Sequence, residues 1–182
     1  SIARALPILR AIDPGLAAEL AERIQSAMVA ESELRIQVHR GLGLALRGLM
    51  PMREVITEDF GLVSTKVVTT VGGGFIIDAF QNLVELENMK YHALGTGVTA
   101  EAVGDSALVT ELTTEYTGNV RATGTTAEIS ALVYQTVGTN TLDSGTPVIR
   151  EHGVFSANAA GVLFDRSLFA AISLDGTAGD AL

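Results

Sequence analysis

The chain has no cysteine and no tryptophan among its 182 residues. Without cysteine there is no disulfide framework, so stability must come from packing and from association between chains. The same absence removes thiolate catalysis and every cysteine-type zinc site. Tyrosine and phenylalanine number only three and six, so the exposed aromatic platforms that a carbohydrate-binding site needs are scarce.

Basic residues are also in short supply. Twelve lysines and arginines stand against 21 aspartates and glutamates, which gives a formal net charge of −9. Nucleic-acid binding requires clustered basic residues, so we expect no nucleic-acid partner and no attraction to an anionic membrane. No apolar run of about 18 residues occurs and no secretory signal is recognisable at the N-terminus, so no transmembrane helix is predicted.

What the chain does have is apolar surface. Hydrophobic residues make up 47% of it, mostly Ala, Leu and Val, and the mean hydropathy is +0.34. A disulfide-free chain of this kind often buries its apolar surplus against partner subunits, so we expect an oligomer or a larger assembly.

The composition changes near residue 60. Residues 1–60 contain one threonine and residues 61–182 contain 17, and the second part also carries nearly all the negative charge. The change predicts a helical N-terminal arm or docking segment over 1–60 and a β-rich domain over 61–182.

The arm opens with a helix signal. Asp13 can cap a first turn and Pro14 suits the first helical position, which predicts an amphipathic helix over 13–31. Its apolar stripe is the candidate assembly surface and consists of Leu16, Leu20, Ile24 and Met28. Residues 34–38 alternate like a short strand. For residues 41–49 two interpretations stay open, a core helix or an arm lying on another subunit.

In the second part the pattern predicts mainly strands, at 66–71, 89–94, 120–124, 128–137, 148–155, 162–166 and 168–173. A short helix is expected over 75–82, and helical turns over 106–113 with Asp105 as the cap. Strands at roughly ten-residue spacing favour an antiparallel sandwich.

The sequence contains few motifs for catalysis, cofactor binding or metal binding. Gly95–Ala100 fits the G-x-G-x-x-A form of a dinucleotide loop, and Glu115 follows at a suitable distance, but the required helix and βαβ units are missing. His39, His92 and His152 show no close ligand spacing, so structural histidines are favoured over a distant constellation. There is no G-x-S-x-G elbow and no calcium loop. We therefore expect no enzyme activity, no cofactor and no metal.

Asp165 and Arg166 form a charged pair between two predicted apolar strands. One interpretation is an ion pair between subunits, which adds them to the candidate assembly interface. The other is a charged turn or an outward-facing pair of little energetic value.

Several ordered blocks of residues 67–182 resemble a family of small structural proteins of tailed bacteriophages, of the tail-fibre-like or minor virion type. The blocks read MKYHALGTG at 89–97, TAE at 99–101, DSALVTELTTEY at 105–116, RATG at 121–124, EHGVFS at 151–156, LFDRS at 163–167 and GD at 179–180. The resemblance implies a β-rich virion module with no catalytic residues. In such proteins the Gly-Asp is usually followed by another apolar strand, so we expect the natural product to continue beyond Leu182 or the sheet to be completed by another subunit.

The sequence thus predicts an α+β fold, with a helical N-terminal arm followed by a mainly antiparallel β-sandwich-like domain. The expected function is a capsid decoration, cement or head-fibre protein of the virion. Its expected partners are the major capsid protein or tail and portal components, and copies of itself, three-fold by preference. The alternatives are a tail or baseplate fibre anchor and, in another class, a host carbohydrate-binding adhesin.

Overall fold

The computed structural model describes residues 32–131 and 133–182. Within them the elements in chain order are β1 (Ser32–Arg40), α1 (Leu42–Leu46), β2 (Ile56–Val68), α2 (Thr70–Phe80), β3 (Tyr91–Gly95), β4 (Ala122–Thr123), β5 (Thr125–Ser130), β6 (Val133–Val137), β7 (Val148–Phe155) and β8 (Leu163–Ser173). Two 3₁₀ helices span Met52–Glu54 and Leu86–Asn88.

Six strands form one antiparallel sheet in the order β1-β2-β8-β7-β3-β4. β1 and β2 make a long hairpin that joins β8 through only two residue pairs, Val67 with Arg166 and Val68 with Asp165. The strands β5 and β6 pair only with each other, and we call them the hairpin arm.

The edge strand β1 packs one face against the core, because its buried and exposed side chains alternate. Leu34, Ile36 and Val38 are buried, whereas the residues between them are exposed. The three belong to the same apolar cluster as Leu94 of β3 and Ile149 of β7, although those strands lie further along the sheet. The sheet therefore curls, and its first strand covers part of its own face.

The second covering layer is the irregular segment of residues 96–121, which contains no helix or strand. Leu108 packs against β3 and β7 side chains, and Leu112 and Tyr116 join the cluster of β1. The Tyr116 hydroxyl accepts from the amide of Leu94 at 2.6 Å and donates to the carbonyl of the same residue at 3.0 Å. This segment occupies the place that a second sheet would take in a sandwich.

The predicted fold class is therefore wrong. The described residues are mostly β, with one curled antiparallel sheet instead of a sandwich and only two short helices. Within the predicted helical arm, residues 32–60 form β1, the five-residue helix α1 and the start of β2. In β1 the apolar residues alternate with a period of two, which is the period of a strand. The predicted helix at 13–31 lies outside the described residues. β2 runs through the composition change, and Ser32–Leu182 is one compact unit.

The helix α2 begins earlier than the sequence predicts, directly after β2. Thr69 is its N-cap: the side-chain oxygen accepts from the amide of Gly72 at 3.0 Å and donates to the carbonyl of Leu163 at 2.6 Å. Gly72 lets the helix approach β8, since a Cβ there would lie 2.7 Å from the Cα of Phe164. The cap and the glycine together fix α2 against the sheet.

Candidate functional site

The two charged residues that the sequence singles out, Asp165 and Arg166, are neighbours within one continuous strand, β8. The two residues are 2% and 0% exposed, so they form neither a turn nor an outward-facing pair. Both find oppositely charged partners inside the chain, and the partners differ. Their role in an intersubunit contact stays a prediction, while within the subunit they organise two separate polar clusters.

The first cluster centres on Arg166 and Glu151, a carboxylate of β7 that is also 0% exposed. Nε of Arg166 donates to Oε2 of Glu151 at 2.9 Å, and Nη2 forms an ion pair with the same oxygen at 2.8 Å. Nη1 donates to Asp105 at 2.9 Å, and Nη2 to the carbonyl of Thr99 at 2.8 Å. One guanidinium therefore ties the covering segment to two strands of the sheet.

The Glu151 carboxylate also accepts three backbone amides of the covering segment. The donors are Gly97 at 3.0 Å, Val109 at 3.1 Å and Thr110 at 2.8 Å. A Cβ at Gly95 would lie 2.5 Å from the same carboxylate, so only glycine fits there. The G-x-G motif that resembles a dinucleotide loop thus surrounds a buried side chain of its own protein.

Asp105, predicted as a helix cap, begins no helix. Burial alone would raise the pKa of its carboxyl, but the amide of Ala102 and the guanidinium of Arg166 outweigh burial and hold the pKa below its ordinary value. The side chain is 25% exposed, so this pair closes the outer side of the cluster. The predicted helical turns over 106–113 are replaced by irregular backbone held on Glu151.

The second cluster pairs Asp165 with Lys66 of β2. The Lys66 ammonium lies 3.0 Å from Oδ1 of Asp165, and both side chains are at most 5% exposed. The hydroxyl of Ser32 donates to the other carboxylate oxygen at 2.8 Å. These contacts reinforce the short β2–β8 junction, where only two residue pairs connect the β1–β2 hairpin to the sheet.

Two histidines that are distant in sequence meet in the interior. Nδ1 of His92 lies 3.0 Å from Nε2 of His152, and Nε2 of His92 lies 3.1 Å from the hydroxyl of Thr136 on the hairpin arm. Burial, together with the nearby charge of Lys66, lowers the pKa of His92 to about 3. Burial and then Lys66 and His92 lower the pKa of His152 well below its ordinary value. Both rings are therefore neutral at pH 7.

Serine and histidine also lie opposite each other, without the geometry of a catalytic pair. Ser167 pairs with His152 across β7 and β8, yet Nδ1 of His152 and the Ser167 hydroxyl have no hydrogen-bond partner among the described residues. Both residues are at most 2% exposed, so no substrate reaches them. In the described part of the chain, no group of three His, Asp or Glu side chains is placed to hold a metal ion.

A further buried cation, Arg121, braces the end of the covering segment. It donates to both carboxylate oxygens of Glu111 at 2.6 and 2.8 Å, and its guanidinium lies 3.5 Å from the ring centroid of Phe155. A surface depression of about 380 Å³ beside it is lined by Arg121, Tyr116, Asn140 and neighbours, with no carboxylate among them. This depression offers no pair of acids for hydrolysis.

The polar clusters are internal, whereas several groups of large apolar side chains are exposed. The hairpin arm exposes Ile129, Val133, Tyr134 and Val137, each at 49–58%. Two other sequence-local groups do the same, one in α2 and the residues after it and one around the start of β2. They comprise Ile77, Phe80, Leu83 and Leu86, and Leu46, Leu49, Met52, Ile56, Phe60 and Leu62.

The assembly interface predicted from the sequence does not include these exposed apolar groups. Leu16, Leu20, Ile24 and Met28 lie outside the described residues, so their role stays a prediction. Sequence reasoning treated residues 128–137 as one strand and missed the hairpin arm. One sequence feature does mark this hairpin: the thirteen residues 125–137 carry a single charge, at Glu128, in a strongly acidic chain.

Comparison with models of known protein families and with curated protein sequences returns no match. Among the described residues, no helix has the length and apolar character needed to cross a membrane.

Proposed function

We propose that this protein is a structural component of a tailed-phage particle, of the capsid decoration, cement or head-fibre type. It acts by binding, with many copies joined to one another and to other virion subunits through apolar surface. The virion assignment rests on the resemblance of residues 67–182, and the mode of action rests on what the subunit leaves exposed.

The hairpin arm is the observation that carries the mode of action. An isolated two-stranded hairpin is marginal in water and gains stability when another strand or layer covers it. Every residue of β5 is exposed, and in β6 only Thr136 is partly covered. The two valines of β6 are 49% and 58% exposed, which is the pattern of a surface that a partner covers.

Edge protection distinguishes the arm from β1. β1 lies at the sheet edge, but Glu33 and Arg35 project charge from its exposed positions. Such charges discourage pairing between edges. The hairpin arm carries only Glu128, so two acidic copies can approach there with little repulsion.

The buried clusters support the same function. They fasten an irregular covering segment and a long hairpin to one sheet through ion pairs and hydrogen bonds, which gives a rigid building block. A rigid block loses less conformational entropy when it is incorporated into an assembly.

The test is the mass of the full chain in solution, by sedimentation velocity and native mass spectrometry, over a range of concentrations. The test variant carries Val133→Thr and Val137→Thr, which preserve strand propensity. The matched control carries Val98→Thr and Val103→Thr, at exposed positions of the covering segment. In an interface each change costs about 1–3 kcal/mol, because a methyl is lost and a hydroxyl is desolvated.

We expect an oligomer for the full chain and the control, and smaller species for the hairpin variant. A monomer at all concentrations would contradict self-association and would return the adhesin and enzyme hypotheses to consideration. An oligomer unaffected by the hairpin variant would place the interface on another exposed group.

A further inference from the structure

The ring of His92 lies at the base of the hairpin arm, between the residues where the arm begins and ends. A Cβ at Gly124 would lie 2.8 Å from Nε2 of His92, and one at Gly138 would lie 2.8 Å from Cγ of the same ring. Thr136 adds its hydrogen bond to Nε2 at 3.1 Å. The two glycines and the threonine thus close around one imidazole.

The other side of the His92 ring faces positive charge. Nδ1 contacts His152 of β7, and the cation that acts on both rings is Lys66 of β2. The carboxylate paired with this lysine is Asp165 of β8, which also accepts from Ser32. The hairpin arm contributes only uncharged neighbours to the ring. No carboxylate among the described residues hydrogen-bonds to either histidine.

We propose that His92 and His152 form an acid-sensitive latch that holds the hairpin arm at neutral pH and releases its base when the rings become protonated. A proton on His92 would place a second buried cation beside Lys66, and protonation of both rings would remove the nitrogen lone pair on which the His92–His152 hydrogen bond depends. The ring escapes that environment only if the residues that enclose it, Gly124, Thr136 and Gly138, move away. The inference does not depend on what the arm binds.

The size of the effect follows from the difference between the two states. With a pKa of about 3 in the closed state and 6.5 once solvated, His92 favours opening by a factor of about 30 at pH 5.0 relative to pH 7.5. His152 adds to this factor if it becomes solvated in the same opening. The change is reversible because no covalent bond is involved.

The test is amide hydrogen exchange of the full chain at pH 7.5 and 5.0, corrected for the intrinsic pH dependence of exchange. Protection of the hairpin-arm amides should fall about 30-fold at pH 5.0, while the amides of β1 keep theirs. In His92→Gln, which cannot be protonated, the hairpin loss should be largely abolished. His39→Gln, a change at a histidine outside the pair, should behave like the unmodified chain.

Equal loss of hairpin protection in the unmodified chain and in His92→Gln would overturn the latch, as would unchanged protection at pH 5.0. A second measurement needs no substitution: an NMR titration of the histidine rings. The latch requires the His92 ring and the hairpin amides to change together. The latch would also be overturned if His92 titrated near pH 6.5 while the amide signals of the hairpin arm stayed unchanged.

Discussion

Replacing Glu151 by glutamine is the most informative single perturbation of the subunit. The side chain keeps its shape, but the negative charge disappears and one acceptor oxygen becomes an NH₂ donor. Four hydrogen bonds converge on the carboxylate, one from Nε of Arg166 and three from backbone amides of the covering segment, and Nη2 of Arg166 adds an ion pair. A glutamine cannot accept all four hydrogen bonds, whichever way its amide is turned.

The cost follows from that geometry. If the NH₂ replaces Oε1, the amides of Gly97 and Thr110 lose their acceptor; if it replaces Oε2, Val109 and Arg166 do. Breaking a buried ion pair from one side costs about 3–5 kcal/mol. Asp105 still holds the guanidinium, so we expect about 3 kcal/mol, a large part of the roughly 5–15 kcal/mol typical of a domain.

Urea unfolding, followed by circular dichroism, measures this loss. With a typical slope of about 2 kcal/mol per molar, the midpoint should fall by about 1.5 M. Glu128→Gln, at an exposed position of the hairpin arm, should change stability by less than about 0.5 kcal/mol. A free energy of unfolding for Glu151→Gln within about 1 kcal/mol of the unmodified chain would refute the view that this carboxylate fastens the covering segment.

Three further predictions concern packing, capping and pH. Gly72→Ala should lower the free energy of unfolding by about 2 kcal/mol or more, because its Cβ would meet the backbone at Phe164. Gly73→Ala, whose Cβ meets open space in the same helix, should raise the free energy of unfolding by up to about 1 kcal/mol. Thermal unfolding of both variants compares them directly. Thr69→Val should cost about 1–2 kcal/mol in denaturant unfolding, since the N-cap bond and a bond to β8 are lost together, and an unchanged midpoint would contradict that role. For His92 the folded-state pKa of about 3 lies below the unfolded value of about 6.5, so its contribution to stability is complete above pH 6.5 and declines as the pH falls towards 3. At pH 5 the loss in the free energy of unfolding is about 2 kcal/mol. The free energy of unfolding of His92→Gln should therefore decrease correspondingly less between pH 7.5 and 5.

The strands that follow simple alternation were predictable, whereas the predicted strand at 66–71 was only partly correct, because β2 ends at Val68 and α2 begins at Thr70. The predicted strand at 148–155 matches β7, and the alternation at 34–38 falls within β1. The predicted break between residues 166 and 168 does not exist, because β8 continues through Asp165 and Arg166. A sequence window treats such charges as surface residues, whereas their partners Lys66 and Glu151 lie elsewhere in the chain.

The sandwich could not be distinguished from a curled sheet for a similar reason. Strand spacing says nothing about which strands pair, and β3 pairs with β7 across more than fifty residues. The covering segment forms no regular element, although residues 106–113 indicated helical turns, because the sequence-distant carboxylate of Glu151 accepts backbone amides that a regular element would pair. The histidine pair was considered from sequence only as a distant possibility, since its residues are separated by sixty positions.

The central claim, that the hairpin arm is an assembly surface, can be tested by cysteine accessibility. The chain has no cysteine of its own, so Val133→Cys and the control Thr146→Cys, both at exposed positions, each give a single reactive thiol. The measurement is the rate of maleimide labelling of the full chain at high and at low protein concentration. The account predicts that assembly slows labelling at position 133 several-fold and leaves position 146 unchanged, and equal rates at 133 in the assembled and dissociated states would contradict it.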